Sequence, residues 1–237
     1  MNASSDQRMT TESAPIALLP LRGGSRGIPG KNIRPFLGRP LFSWCATAAL
    51  DAGLRLVIST DDDSIRDAVR LHTPAAELLD RPAAFATDTA STEVVIAHAL
   101  DHLICDHMLL LQATSPLTNA RHLHDAICAY HAGGCRPLVS GTRQHHFHWT
   151  DEGLPINYDP CRRPRRQDWD GTFVENGAFY IFSRHDFMKT QSRCAPPCTL
   201  FTMEPHHAIE IDTSDDWRRL EQEVKTAPWS AISSEPS

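Results

Sequence analysis

The stretch LPLRGGSRGIPGKNI, residues 19–33, decides how the rest of the chain is organised. It overlaps the end of a short apolar run, residues 16–21, and it precedes a segment of helical apolar spacing that begins at Pro40. Glycine lets the backbone approach a ligand closely, and successive exposed N–H groups form a concave site for anions. The stretch combines glycines with basic side chains, namely Gly23, Gly24, Gly27, Gly30, Arg22, Arg26 and Lys31. We interpret it as a loop that binds a triphosphate; the alternative is a flexible surface loop with solvated charges.

Length and charge narrow the class of protein. The chain has 237 residues, 41% of them apolar, which is enough for one domain with a full core. The net charge of −6 argues against a nucleic-acid-binding protein, which is usually basic. No run approaches the roughly 18 apolar residues of a membrane helix. Positive charge is concentrated at residues 22–31 and 162–166, which favours a small anionic ligand.

The two ends of the chain differ from its middle. Residues 1–14 are polar and lack the apolar segment of a secretory signal. We predict disordered tails at 1–14 and 226–237, and a folded domain over 15–225. Seven cysteines at scattered spacings indicate reduced thiols, and therefore a cytoplasmic or nuclear protein. His145, His146 and His148 are interpreted as surface or hydrogen-bonding residues, since they lack a zinc-site spacing.

Apolar strands and amphipathic helices alternate through the first part of the chain. Strands are predicted at 16–21, 55–59, 77–79, 108–111 and 138–140, with helices between them. This order predicts an α/β fold with a doubly wound, mostly parallel, Rossmann-like sheet. Ligands of such sheets bind beyond the carboxyl ends of the strands. The polar segments that begin at Arg22, Thr60, Arg81 and Gln112 all follow strands, so we expect them at that edge.

The alternation stops at residues 141–175, which are aromatic, proline-rich and basic. We predict that this segment leaves the sheet. Strands are expected again at 178–182, 199–203 and 208–211, and residues 212–214 are expected to cap a last helix.

Two late carboxylates form a candidate metal site. Glu210 and Asp212 are separated by one residue on a predicted strand, so their side chains share a face. Oxygen ligands of this kind suit Mg²⁺ or Mn²⁺. The alternative is a pair of acids that cap the last helix. Residues 61–63, three aspartates, are a rival site, although acids are common at a helix N-terminus.

Six blocks, in order along the chain, carry a family resemblance. They are RGGSRGIPGKN at 22–32, STDDDSI at 59–65, LQATSP at 111–116, RQHHFHW at 143–149, RRPRRQDWDG at 162–171 and ENGAFYI at 175–181. Together they resemble the N-acylneuraminate cytidylyltransferases, the CMP-sialic acid synthetases, in their animal-type catalytic domain. The resemblance covers about residues 15–225. The glycine loop is shared with other sugar nucleotidyltransferases, whereas the basic block that leads into ENGAFYI is far more specific.

The resemblance implies an activity and a set of roles. The family transfers CMP from CTP to the anomeric hydroxyl of a nonulosonic acid and releases pyrophosphate. It implies a homodimer, or a tetramer, built by the segment 141–175, and no nucleic-acid or membrane partner. Catalytic roles fall on Arg22, Lys31, Arg166 and Asp212. Substrate contacts fall on Gly23, Gly24, Ser25, Arg26, Asn32, Arg81, Thr92, Gln112, Asn176 and Tyr180, and the metal-binding acids are Glu210 and Asp212. Within these, Asn32 would contact the ribose, Arg81 and Thr92 the base, and Gln112, Tyr180 and Arg166 the sugar acid.

Three positions depart from the family pattern. Arg26 stands where lysine is common, Glu210 replaces the more usual aspartate, and Thr118 follows Leu117 where bacterial members often carry arginine nearby. We also expect no room in 237 residues for the phosphatase-like domain of vertebrate members.

Alternative functions stay open at this point. One is a cytidylyltransferase for legionaminate, pseudaminate or a deaminated sialic acid, and another is a non-catalytic sugar-nucleotide-binding module. The expected compartment is the cytoplasm, with the nucleus as alternative because residues 162–166 also resemble a nuclear-import run.

Overall fold

The computed structural model describes residues 14–25 and 27–226. The predicted tails therefore fall almost entirely outside the described residues, as does Arg26. In chain order the strands and helices are β1 (Ile16–Pro20), β2 (Pro35–Phe36), β3 (Arg39–Pro40), α1 (Leu41–Asp51), β4 (Leu56–Thr60), α2 (Asp63–His72), β5 (Glu77–Asp80), α3 (Thr92–His102), β6 (His107–Leu111), α4 (Ala120–Ala132), β7 (Leu138–Gln144), β8 (Thr172–Ser183), α5 (Arg184–Thr190), β9 (Thr199–Thr202) and α6 (Ser214–Thr226).

The apolar run that precedes the glycine loop forms β1, a central strand of the large sheet. The sheet has seven strands in the order β5-β4-β1-β6-β8-β7-β9. β8 runs antiparallel to both of its neighbours, β6 and β7, and the other pairs are parallel. The predicted mostly parallel α/β sheet is confirmed. Buried parallel strands need apolar side chains on both faces, which is why they appear in the sequence as continuous apolar runs.

Helices cover both faces of the sheet. On one face, α1, α2 and α4 bury side chains such as Phe42, Ile65 and Ile127. On the other, α3 and α5 bury Ile96 and Phe187. The sheet is therefore doubly wound, as predicted. None of the helices in the described part of the chain is both long and apolar enough to cross a bilayer.

Helix caps explain two acidic stretches. Asp62 caps α2, because its carboxylate accepts a hydrogen bond from the Ile65 N–H at 3.2 Å. The aspartates at 61–63 thus include a helix cap, which is the simpler of the two interpretations. At α6, the Thr213 hydroxyl accepts from the Asp216 N–H at 3.2 Å, while the Asp216 carboxylate accepts from the Thr213 N–H at 2.8 Å.

The structure corrects two predicted boundaries. Residues 208–211 form no strand: a turn at 205–207 follows β9, and the chain then runs as a loop held by the Ile211 N–H, which donates to the Thr114 carbonyl at 2.8 Å. Strand alternation therefore does not explain the placement of Glu210 and Asp212. In addition, β7 and β8 extend into the predicted 141–175 segment, so only residues 145–171, here called the arm, leave the sheet.

Candidate active site

A cavity of about 380 Å³ opens beyond the carboxyl ends of β1 and β6. The glycine loop lines one side, the segment 81–92 another, and the residues after β6 form the floor. Its lining residues include the predicted site residues Arg22, Ser25, Lys31, Asn32, Arg81, Thr92, Gln112 and Asp212. The cavity is thus where parallel-sheet geometry leads one to expect a ligand.

Asp61 and Asn32 hold the start of the glycine loop in place. The Gly23 N–H donates to the Asp61 carboxylate at 3.1 Å, and the Asn32 side-chain amide donates to the Arg22 carbonyl at 3.0 Å. A Cβ added at Gly23 would lie 2.6 Å from the Asp62 carboxylate, so a side chain would push the loop away from α2. Gly23 and Gly24 shape the loop in the described structure without lining the cavity.

Lys31 connects the glycine loop to the late acidic segment. Its Nζ donates to the Ile211 carbonyl at 3.2 Å and to the Asp212 carboxylate at 3.3 Å. The side chain is only 17% exposed, whereas that of Asp212 is 67% exposed. A basic and an acidic group, 181 residues apart in sequence, therefore meet on the cavity wall.

Two arginines supply further positive charge. Arg22 forms an ion pair with Asp88 at 2.6 Å, and both side chains are about one-third exposed. The Arg81 guanidinium is buried and donates to the Ser59 carbonyl at 2.5 Å and to the Ser59 hydroxyl at 3.1 Å. Burial lowers the pKa of Arg81, and the nearby Asp61 partly opposes that shift.

The floor and the opposite wall come from β6 and α3. The Gln112 N–H donates to the Ala178 carbonyl at 3.1 Å, which fixes the backbone where β6 ends. Thr92 is the first residue of α3, just after the N-cap Ser91. Both lie on the cavity lining, so polar groups of two different elements converge on one space.

Glu210 stands next to, but outside, the cavity lining. Its pKa is raised to about 7, chiefly by burial and also by the negative charges of Asp212 and Glu175, whereas Lys31 opposes the shift. A Cβ placed on Gly177, whose φ is +63°, would collide with the Glu210 carboxylate. Negative charges are therefore concentrated around Glu210, and the space that its carboxylate occupies requires a glycine at position 177.

Three predicted site residues lie away from the cavity. Asn176 is buried in the sheet, where its side-chain oxygen accepts from the Ser140 hydroxyl at 2.8 Å. Tyr180 is buried as well, and its hydroxyl donates to the Glu175 carboxylate. Arg166 is exposed on the arm. Substrate contacts for these three residues stay predictions.

Sequence reasoning missed several neighbours of the site. Asp88, the partner of Arg22, and Phe85 both come from the segment 81–92, which the pattern identified only as a polar loop. Arg193 was missed too: its guanidinium lies 4.5 Å from the centre of the Tyr180 ring and pairs with Glu93 in the first turn of α3. No local sequence motif predicts these ion pairs, because the two residues of the Arg22–Asp88 pair are 66 positions apart in the chain and those of the Arg193–Glu93 pair are 100 apart.

Comparison with protein families gives a match to the family described as Cytidylyltransferase over residues 16–225. The chain belongs to the cytidylyltransferase family. This confirms the family predicted from the sequence blocks. The matched residues of this cytidylyltransferase-family chain include all of the described strands and the cavity between them.

Two curated relatives differ in the sugar that their names indicate. An N-acylneuraminate cytidylyltransferase of Oncorhynchus mykiss is 35% identical over 218 residues, which are 88% of this chain and 50% of the relative. A pseudaminic acid cytidylyltransferase of Campylobacter jejuni is 29% identical over 214 residues, which are 85% of this chain and 92% of the relative. The cytidylyltransferase-family chain thus spans about half the length of the first of these.

Solved structures support the fold. The structure of CMP:2-keto-3-deoxy-manno-octonic acid synthetase complexed with CTP matches with a TM-score of 0.67 at 14% identity, covering 90% of this chain and 99% of that one. At this identity the likeness concerns the fold of the cytidylyltransferase-family chain.

Proposed function

We propose that this protein transfers CMP from CTP to the anomeric hydroxyl of an N-acylneuraminate, giving CMP-sialic acid and pyrophosphate. The observation that carries the proposal is the cavity itself: Arg22, Lys31 and Gln112 converge at the carboxyl ends of the strands in a chain that is 35% identical to an N-acylneuraminate cytidylyltransferase. The reaction forms a bond between the sugar oxygen and the α-phosphorus and breaks the bond to pyrophosphate.

The glycine loop is proposed to hold the triphosphate. Arg22 and Lys31 lie on the cavity wall as cations, and Ser25 adds a hydroxyl beside them. Phosphoryl transfer depends mainly on positioning and on neutralising charge, so two cations at the phosphates are the groups that this chemistry needs. Asn32 is proposed at the ribose and Arg81 with Thr92 at the base. We also propose that Arg26, outside the described residues, contacts phosphate.

A divalent cation is proposed to bind at Glu210 and Asp212. The donor set fits Mg²⁺, because both groups offer carboxylate oxygens, which hard cations prefer. The raised pKa of Glu210 fits as well, since burial and then the charges of Asp212 and Glu175 raise it, and Lys31 offsets them only in part. When bound, Mg²⁺ or Mn²⁺ would supply charge neutralisation at the reacting phosphate. Until a phosphate binds, the contact with Lys31 would hold the Asp212 carboxylate at the cavity wall.

The sugar acid is proposed to meet Gln112, Tyr180 and Arg166. Arginine matches a carboxylate through two parallel N–H donors, and the sugar acid carries one. Because Arg166 lies on the arm, outside the cavity lining of its own chain, we propose that it serves the site of a second subunit.

The arm is proposed to build a homodimer or a tetramer. Internally, an aromatic cluster supports the arm: Phe147 stacks on Trp169 at 4.8 Å, and Arg163 lies 4.4 Å from the centre of the Phe147 ring. Externally, the arm exposes 63% of Leu154 and 63% of Ile156, apolar surface of the kind that subunit interfaces bury.

A related nonulosonic acid is the second candidate substrate. It is favoured by the pseudaminic acid cytidylyltransferase of Campylobacter jejuni, because this chain covers 92% of that relative. For the compartment we propose the cytoplasm, or the nucleus if the basic run at 162–166 acts as an import signal.

The test is a pyrophosphate-release assay with CTP, Mg²⁺ and a panel of nonulosonic acids that includes N-acetylneuraminate and pseudaminate. We expect release with at least one acid, and a Lys31→Ala variant that keeps its fold but loses about 100-fold or more in kcat/KM. Lys189→Ala, an exposed lysine on α5, is the matched control and should behave as wild type. Measurable CTP binding without release for any acid would refute both candidate substrates.

A further inference from the structure

A second group of ligating side chains lies outside the active site, where the first turn of α4 meets the turn after β9. It consists of His122, Glu204 and His207, whose donor atoms all lie within 4.8 Å of one another. His122 Nε2 is 3.3 Å from a Glu204 carboxylate oxygen, and His207 Nδ1 is 3.5 Å from the same oxygen. The two imidazole rings are 4.8 Å apart between centroids.

Two rigid elements present these groups. His122 is the third residue of α4 and belongs to a capping box: its N–H donates to the Asn119 side chain at 2.9 Å, and its Nδ1 accepts from the Asn119 N–H at 3.3 Å. This directs Nε2 towards Glu204. Glu204 and His207 are held by a tight turn, in which the His207 N–H donates to the Glu204 carbonyl at 3.0 Å. The cluster is therefore fixed by backbone hydrogen bonds on both sides.

We propose that His122, Glu204 and His207 form a binding site for Zn²⁺ or a similar divalent transition-metal ion. Two imidazoles and one carboxylate are a ligand set that zinc commonly takes, with water at the remaining tetrahedral position. Imidazole ligands favour such metals over Mg²⁺, which prefers oxygen. The two histidine side chains are only 9% exposed, whereas Glu204 is 61% exposed, so the ion enters from the Glu204 side.

Metal binding changes the hydrogen bonding of His122. While Nδ1 accepts from the Asn119 N–H, the neutral ring carries its proton on Nε2. To ligate through Nε2, the ring must release that proton and take one on Nδ1, which leaves its charge unchanged. The 3.3 Å contact with the Asn119 N–H is then lost, while the 2.9 Å bond from the His122 N–H remains.

The proposed site has a structural consequence for the active site. The segment that follows β9 is fixed at one end by the Met203 N–H on the Gly141 carbonyl, at 2.8 Å, and at the other by the Ile211 N–H on the Thr114 carbonyl, also at 2.8 Å. Glu204 and His207 lie between these two anchors. An ion shared with His122 fastens the middle of this segment to α4, so it positions the loop that carries Glu210 and Asp212.

The experiment measures Zn²⁺ binding by the chelator-treated full chain, without CTP or Mg²⁺, using calorimetry. Co²⁺ absorption reports tetrahedral geometry, and the amide signal of Asn119 reports the change at His122 in an NMR spectrum. We expect one ion per chain, tetrahedral Co²⁺ bands and a shifted Asn119 signal. His122→Gln and His207→Gln should weaken Zn²⁺ binding by at least about tenfold.

His206→Gln is the matched control, because this exposed neighbour does not belong to the cluster. It should bind as wild type does. If a histidine variant fails to fold, Glu204→Gln, at an exposed position, replaces it in the comparison and should weaken binding as well. Absence of Zn²⁺ binding by wild type, or equal affinity for wild type and Glu204→Gln, would overturn the proposal. These readouts need no catalysis, so they do not depend on the proposed function.

Discussion

Substituting Gly177 tests whether Glu210 serves the reaction. Gly177 lies on β8 with a φ of +63°, and an added Cβ would collide with the Glu210 carboxylate. A Gly177→Ala variant therefore has two separate effects: it strains the backbone, and it moves a proposed metal ligand. The two effects are separated by comparing Gly177→Ala with Gly134→Ala, because Gly134 has a φ of +73° but no atoms within 4 Å of an added Cβ.

The magnitudes follow from the geometry. A left-handed backbone costs an L-residue about 1–2 kcal/mol, so both variants should lose about that much free energy of unfolding. In Gly177→Ala the carboxylate must also retreat by roughly 1.2 Å or more to reach an ordinary contact distance of at least 3.4 Å. A displacement of that size at a reacting centre lowers the rate by about 100-fold. Gly134 follows the C-terminal end of α4 and does not line the cavity, so its substitution should leave the rate unchanged.

The assay combines urea denaturation with pyrophosphate release over a series of Mg²⁺ concentrations. We expect similar stability losses in both variants, together with a higher Mg²⁺ requirement and a lower kcat/KM in Gly177→Ala alone. The reasoning is refuted if Gly177→Ala matches Gly134→Ala in both Mg²⁺ dependence and rate, since Glu210 would then tolerate displacement without consequence.

Three further predictions concern other parts of the molecule. Arg166→Ala should raise the KM for the sugar acid by about tenfold or more, because a charge-assisted hydrogen bond is lost, and leave the KM for CTP nearly unchanged; equal increases would contradict its role. Burial raises the pKa of the Cys45 thiol to about 12, so iodoacetamide at neutral pH should label the exposed Cys128 of the folded protein but not Cys45. Mass spectrometry identifies the labelled cysteines, and rapid labelling of Cys45 would contradict its burial. Asp62→Ala should lower the free energy of unfolding by about 1 kcal/mol, because the cap of α2 is lost. Hydrogen bonds, chiefly from Ser64, lower the pKa of Asp62, so the stabilisation should be present at neutral pH and disappear as the pH falls through the lowered pKa. A stability difference between variant and wild type that does not change with pH would contradict this prediction.

The sequence predicts the sheet better than the loops, for a physical reason. Strands such as β1 and β6 are buried on both faces, so apart from His107 at the start of β6 their residues are apolar, and each run is easily recognised in the sequence. Residues 209–212 alternate apolar and acidic side chains just as a strand does, yet residues 208–211 form no strand: they follow the turn at 205–207, and the Ile211 N–H donates to the Thr114 carbonyl in a loop. An alternating pattern indicates which side chains face the core, but it does not show that the backbone is hydrogen-bonded to a neighbouring strand. This loop has the pattern without those hydrogen bonds.

In the candidate site, too, local sequence patterns predict the residues near strand ends but not the contacts between distant parts of the chain. Residues whose position follows from a strand end, such as Lys31 and Gln112, line the cavity as expected. Tyr180 does not, because its place on the antiparallel strand β8 directs its hydroxyl to Glu175. Partners such as Asp88 were missed because a contact across 66 residues leaves no trace in local spacing.

Ion pairs between distant residues explain how an acidic chain can keep basic side chains on its cavity wall. Arg22 pairs with Asp88, and Lys31 pairs with Asp212, so each cation has a carboxylate partner before any phosphate binds. Both pairs are partly exposed, and such pairs contribute about 0–1 kcal/mol. The proposed triphosphate would therefore displace weak partners at little cost, because the cations would gain stronger charge-assisted bonds. Asp212, once released from Lys31, would be free to ligate the proposed cation beside Glu210. Under the proposed function, this exchange of partners would couple phosphate binding at the glycine loop to metal binding at the late acidic segment, and Lys31 would be the residue that links the two.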